Sequence, residues 1–472
     1  MTARIHPLAW FVGVATLALP IPVTLYAAPR LPPPLAAMVG SGAVTLFQAT
    51  LFWAIVFAFL VIKGVLIGRT VRVRSALTPL GTTLSFPTNP RLEIFWTLLP
   101  ALAMSALLSW AWYAILTDST PCISEALQRT CRTQATVSLS LNQLLTLATS
   151  GVILVVGGAM LRPLRRSLVR VPKPRIEGPA VVPTPRTPSL IADYISLTKP
   201  TVVMLLLVTT LATMFITPTA TPSLGLIFWT LLGGYLAAGG AGAINCAVEG
   251  DVDRNMGRTS RRPVPAGRIP AHHALIFGLT LCLLSFGLLA RFVNLLTAGL
   301  ALVGAIYYAL AYTRWLKRST WHNIIIGGGA GSMPPLVGWA AATGTINLTA
   351  LVLFAIIFYW TPPHFWALAL IRQRDYARAG VPMLPVVAGE AETRRQIWLY
   401  TLLMVAVSLL LIPLGAMGNL YLVGALLLAV PFLRSAWLVR EGGQHAAIWG
   451  LYKYSLLYLA LLFILMVVDR SI

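Results

Sequence analysis

The chain has 472 residues, 57% of them hydrophobic and 10% charged, with a mean hydropathy of +0.80. These values exclude an ordinary soluble protein and describe a polytopic membrane protein. Lys and Arg number 35 against 13 Asp and Glu, a formal charge of +22, but they fall in alternate loops, which excludes a nucleic-acid-binding patch.

A helix crossing the hydrocarbon needs about 20 largely apolar residues. Lipid cannot satisfy exposed backbone groups, so the spans are predicted to be helices; the alternating pattern of a membrane barrel is absent from the sequence. About 13 segments qualify, near residues 9–27, 42–66, 93–116, 138–161, 200–216, 224–246, 273–290, 295–312, 323–342, 349–371, 397–414, 419–438 and 452–468. The first could be a cleaved signal peptide ending at Ala27-Ala28, although Pro29 just beyond favours a retained helix. Pro334-Pro335 and Pro362-Pro363 interrupt two later segments and are expected to kink them.

Between the fourth and fifth segments, residues 162–190 are dominated by Arg and Pro and read as a stiff basic linker. The expected fold is therefore all-α: a nine-helix bundle over 191–472, preceded by about four additional transmembrane helices in 1–161. Basic clusters at Arg69 to Arg74, Arg162 to Arg175, Arg254 to Arg268, Arg314 to Arg318 and Arg372 to Arg395 mark the cytoplasmic loops. They place the N-terminus inside and the C-terminus outside. Cys122 and Cys131 then lie outside, where a disulfide can form, while Cys246 and Cys282 read as packing residues.

The stretch Asn245-Cys246-Ala247-Val248-Glu249-Gly250-Asp251-Val252-Asp253-Arg254 puts three carboxylates at the end of an apolar span in a chain with few acids. Asn245, Glu249 and Asp253 are spaced by four, so a helix aligns them in one stripe of oxygen ligands for a hard cation. Asp251 points off the stripe and is expected to hold Arg254 or Asn255. A solvated loop with local ion pairs is the plainer alternative. Arg258, Arg261 and Arg262 follow, either as forks for phosphate oxygens or as positive-inside anchors.

A second segment runs Tyr359-Trp360-Thr361-Pro362-Pro363-His364-Phe365-Trp366, then Arg372, Arg374, Asp375 and Tyr376, closing at Pro385. Asp375 offers another metal or diphosphate contact, or else pairs with Arg372 or Arg378. His364 is a candidate haem or substrate contact, or a hydrogen-bonded core histidine. A third segment holds Tyr312-Thr313-Arg314-Trp315-Leu316-Lys317-Arg318 and Gly327-Gly328-Gly329, whose glycines most simply allow close helix packing. Both acidic segments are predicted on the cytoplasmic side, facing one another.

Together with Leu197-Thr198-Lys199-Pro200, these stretches resemble the UbiA-type intramembrane prenyltransferases over about residues 190–470, and within them the branch that farnesylates protohaem IX. The resemblance implies nine helices around a cavity open towards the membrane. It also implies the reaction: farnesyl diphosphate, haem B and water give haem O and diphosphate. It assigns magnesium binding and catalysis to Asn245, Glu249, Asp253 and Asp375, and substrate binding to Lys199, Arg258, Arg262, Lys317, Arg374, His364 and Tyr376. Glu249 departs from the Asp usual at its place in the family. The implied setting is the plasma (inner) membrane of a prokaryote, with haem A synthase or the cytochrome oxidase assembly as candidate partners.

Residues 1–161 carry no comparable motif. Asn89 to Pro100 resembles the second membrane helix of cytochrome oxidase subunit II, without the copper domain that follows it there. Only His6 precedes residue 272, so a fused haem A synthase, which needs several membrane histidines, is excluded for this region. A prenyltransferase for quinone or chlorophyll precursors and a non-enzymatic oxidase assembly subunit are the competing readings.

Overall fold

The computed structural model describes residues 46–76, 90–117 and 189–472. The predicted spans at 9–27 and 138–161, most of the 162–190 linker, and Cys122 and Cys131 lie outside the described residues. Among the described residues every regular element is a helix. α1 (Leu46–Ala76) and α2 (Pro90–Thr117) are the predicted spans at 42–66 and 93–116. Ser189 caps α3 (Leu190–Leu197) by accepting from the Ala192 amide.

The spans then follow in the predicted order. α3 and α4 (Pro200–Ile216) form a pair bent by 45° at Thr198-Lys199. α5 (Leu224–Val248), the short α6 (Gly250–Arg254), α7 (Ala271–Phe292) and α8 (Leu295–Ile306) come next. α8 continues without a break through a π-helical stretch, Tyr307–Leu316, and a last turn, Lys317–Ser319. α9 (Asn323–Gly331) and α10 (Met333–Thr343) share one span, and α11 (Leu348–Ile371) leads to short α12 (Gln373–Arg378) and α13 (Leu384–Val387). α14 (Gly389–Leu409), α15 (Asn419–Arg440) and α16 (His445–Ser471) complete the bundle. Seven of these spans are long and apolar enough to cross a membrane, and the bent α3–α4 pair is an eighth. α14 falls short of that standard because its first turns carry Glu390, Glu392, Arg394 and Arg395.

Local chemistry explains the starts. Ser223, Asn294 and Asn347 accept from the amides of Leu226, Thr297 and Ala350, capping α5, α8 and α11. The two double prolines behave differently from one another. Pro334-Pro335 do not kink a helix but begin α10, in the first turn where a missing N–H costs nothing. Pro362-Pro363 stay within α11, and Thr361 Oγ1 donates to the Ile357 carbonyl at 2.8 Å beside them.

α1 and α2 pack together and dock on the bundle through α14 and α11. Lys63 of α1 is buried, its ammonium 5.1 Å from the Tyr359 ring centroid and 5.2 Å from that of Tyr400. Such a desolvated cation over two aromatic faces is worth about 2 kcal/mol. Tyr359 Oη donates to the Pro100 carbonyl of α2 at 3.4 Å.

The helix that carries the acidic stripe, α5, is fixed mainly by α7. Gly240 and Gly278 let the two backbones touch: a Cβ on either would lie 2.6–2.7 Å from the other's carbonyl oxygen. Cys282 packs at the same crossing, and both Cys246 and Cys282 are buried and free. Gly278→Ala should therefore cost about 1–3 kcal/mol of stability. Gly287→Ala on the same helix, with open space around its Cβ, should be neutral or slightly stabilising; thermal unfolding in detergent compares the two.

Candidate active site

α5 ends at Val248, and Glu249 joins it to α6. The amides of Glu249 and Asp253 still reach the carbonyls four residues back, at 2.9 and 2.8 Å, so helical register survives the junction. The predicted stripe therefore exists. Asn245, Glu249 and Asp253 are 2%, 2% and 1% exposed, and buried charge needs a partner.

Each member of the stripe has a cation. Lys317 Nζ donates to Glu249 Oε2 at 2.5 Å, reaching over from the end of the π-helical stretch. Arg262 Nη1 donates to Asp253 Oδ2 at 2.8 Å, while Thr259 Oγ1 donates to the Asp253 carbonyl. Burial is the largest influence and works against the Arg262 charge, but Asp253, Cys246 and Tyr308 together hold the guanidinium's pKa above its ordinary value. Lys199 Nζ donates to Asn245 Oδ1. Lys199 is the one non-glycine residue with positive φ among the described residues, at 52°, in the elbow between α3 and α4. A left-handed lysine before proline is a strained conformation, of the kind that gathers at functional sites.

Asp251 lies outside this set. Its carboxylate takes a two-pronged bond from Arg318, at 2.9 and 2.7 Å, rather than the expected local bond with Arg254 or Asn255. Asn255 reaches only its backbone carbonyl, at 3.4 Å. The helix turn explains the correction: Asp251 faces away from the stripe, towards the far end of the π-helical stretch. Arg318 holds the Asp251 carboxyl below the usual carboxylate range.

The π-helical stretch supplies the wall opposite α5. Tyr308 and Tyr312 stack at 5.5 Å, and Lys199 Nζ lies 5.7 Å from the Tyr308 ring centroid. Tyr312 shares an electrostatic neighbourhood with Glu249, Arg258 and Tyr376. The glycine run provides the room: a Cβ on Gly327 would collide with the Tyr312 ring, and one on Gly328 would press on Thr361.

The second acidic segment is coupled electrostatically to the first at Tyr376: burial raises the pKa of its hydroxyl, Arg258 opposes that shift and Glu249 adds to it. Asp375 is half-buried and forms no ion pair among the described residues, so neither Arg372 nor Arg378 claims it. Arg258 and Arg374 are exposed. His364 is buried in an aromatic stack between Trp360 (4.4 Å) and Tyr452 (4.7 Å), with Nδ1 2.8 Å from Ser455 Oγ. That setting satisfies a core histidine without a ligand.

Among the described residues no three His, Cys, Asp or Glu side chains are grouped closely enough to hold a metal alone. Magnesium does not need such a cage, since it keeps waters and substrate phosphates as ligands. One oxygen fits it directly: Glu249 Oε1 is buried with no hydrogen-bond partner. Sequence reasoning missed Tyr308 and gave Thr313, named within the third segment, no role of its own.

Residues 206–466 match the UbiA prenyltransferase family. The chain belongs to that family. A relative from Chloroflexus aurantiacus named protoheme IX farnesyltransferase is 68% identical over 284 residues, covering 60% of this chain and 48% of that one. A Synechocystis protein of the same name is 54% identical over 279 residues, covering 59% of this chain and 88% of that one. The chain thus spans about half the length of the first of these UbiA relatives. A solved structure of digeranylgeranylglyceryl phosphate synthase shares the fold at 18% identity and a TM-score of 0.51, covering 60% of this chain and 98% of that one.

Glu249 and Lys317 are the deepest ion pair of this UbiA site, their side chains 2% and 13% exposed. Lys317→Met, which strands a buried carboxylate, should cost on the order of 3 kcal/mol in denaturant unfolding. Adding Glu249→Gln should recover most of that loss. Arg318→Met, whose partner Asp251 is exposed, should cost less than about 1 kcal/mol.

Proposed function

We propose that the protein transfers a farnesyl group from farnesyl diphosphate to a vinyl group of haem B, with addition of water, giving haem O and diphosphate. The observation that carries this reading is the buried stripe Asn245, Glu249 and Asp253, each member bonded to a cation. It lies within a stretch highly similar to proteins named protoheme IX farnesyltransferase.

Asn245, Glu249, Asp253 and Asp375 are the residues that would hold magnesium. When bound, that ion stabilises the charge developing on departing diphosphate. Lys317, Arg262 and Lys199 neutralise the stripe in the free protein. On substrate binding they turn from the stripe to diphosphate oxygens, joined by Arg258 and Arg374, so no buried charge is left alone at either stage. The same cations can instead meet haem propionates. Tyr376 completes the substrate-binding set on the α12 side, with His364 packed in the core, and the stacked tyrosines shield the allylic cation from water until the vinyl group attacks.

The protein is proposed to sit in the plasma membrane of a prokaryote with its N-terminus and acidic motifs cytoplasmic, the C-terminus outside, and haem A synthase or oxidase assembly as partner. The bundle over 191–472 is the catalytic unit in this reading, residues 162–190 its linker, and 1–161 an appended membrane region.

Incubation of the purified protein with haem B, farnesyl diphosphate and magnesium should yield, by mass spectrometry, a haem larger by one hydroxyfarnesyl addition. Asp253→Ala should lower that rate by more than about 100-fold, several kcal/mol of lost stabilisation. Prenylation of a quinone precursor with haem left untouched would overturn the assignment.

A further inference from the structure

We infer that Thr313 is a positioning residue that fixes which end of the Asn245 amide faces the site. The inference rests on the magnesium-and-diphosphate reading above. Thr313 is fully buried, and its Oγ1 makes two hydrogen bonds: it lies 2.8 Å from the Tyr308 carbonyl oxygen and 2.9 Å from Asn245 Nδ2.

A hydroxyl has one hydrogen. The Tyr308 carbonyl can only accept, so it takes that hydrogen. Thr313 Oγ1 is left with lone pairs, and Asn245 must turn its NH2 towards it. The other end of the amide then presents Oδ1 to Lys199, whose ammonium can only donate. Rotating the amide by half a turn would set oxygen against lone pair on one side and NH2 against ammonium on the other. Both neighbours therefore select the same orientation, and water is too scarce around a side chain 2% exposed to relieve the wrong one.

The π-helical stretch makes this possible. In α-helical turns of the bundle, threonine hydroxyls that bond their own helix reach four residues back, as Thr210 does to Leu206, Thr213 to Thr209 and Thr401 to Ile397, or three, as Thr209 does to Leu206. Thr313 reaches five residues back, to a carbonyl that the wider helix leaves accessible. An ordinary helical turn would point the hydroxyl at residue 309 or 310. The widened turn thus anchors an oxygen ligand on the stripe beside Glu249 and Asp253, and does so from a helix outside the acidic motif.

The test uses the full-length protein in detergent, with manganese as the spectroscopic substitute for magnesium and inorganic diphosphate as the anion. Electron paramagnetic resonance reads bound manganese directly, without haem or turnover. Thr313→Val, which keeps the shape but removes the hydroxyl, should weaken manganese binding in the presence of diphosphate by about 10-fold or more. Thr313→Ser should bind as the wild type does. Thr313→Ala provides the same comparison where the valine variant does not fold. Wild-type affinity in a folded Val or Ala variant would overturn the inference, as would equal loss in the Ser variant. Failure of the wild type itself to bind manganese with diphosphate would instead overturn the metal-site reading beneath it, so the two failures are distinguishable.

Discussion

Burying Glu249 and Asp253 at the end of a membrane helix is the constraint on which the rest of the site depends. An uncompensated carboxylate there costs several kcal/mol, so each must be met by a cation fixed by the fold. The partners arrive from different elements. Arg262 comes from the loop after α6, and Lys317 from the last turn beyond the π-helical stretch. Lys199 comes from the elbow between α3 and α4 and bonds to Asn245. Three crossings are thereby tied to one stripe, which explains why the elbow tolerates a left-handed lysine. The same pairs leave one carboxylate oxygen, Glu249 Oε1, buried and unclaimed.

Small residues set the distances over which these pairs form. Contact between Gly240 and Gly278 holds α5 against α7, and Gly327 and Gly328 admit Tyr312 and Thr361. In lipid there is little hydrophobic drive between helices, so close backbone approach and interhelical hydrogen bonds carry the specificity. Docking of α1 and α2 follows the same logic in another form. Lys63, with no ion pair among the described residues, is accommodated between Tyr400 of α14 and Tyr359 of α11, the helix that also bears His364.

Much of this was legible in the sequence. Apolar length located every described span, and spacing by four aligned Asn245, Glu249 and Asp253 as the structure has them. Partner identity was not legible, because the decisive pairs join distant segments. Glu249 and Lys317 are 68 residues apart and Asn245 and Lys199 are 46. Asp251 was expected to bond locally for the same reason, and instead takes Arg318. Nor does composition mark a π-helix: Tyr307–Leu316 reads as an ordinary span end, yet it places Tyr308, Tyr312 and Thr313. From pattern alone Pro334-Pro335 read as a kink, because pattern does not reveal that α9 ends just before them.

The exchange of partners, from stripe to diphosphate, is tested most directly by the affinity for inorganic diphosphate with magnesium and with chelator. Calorimetry on the purified protein in detergent measures both. If, as proposed, the carboxylates hold the cations until a metal replaces them, magnesium should tighten diphosphate binding by about 10-fold or more. Equal affinity in chelator would mean that the basic residues are free to bind diphosphate on their own, and would contradict the exchange.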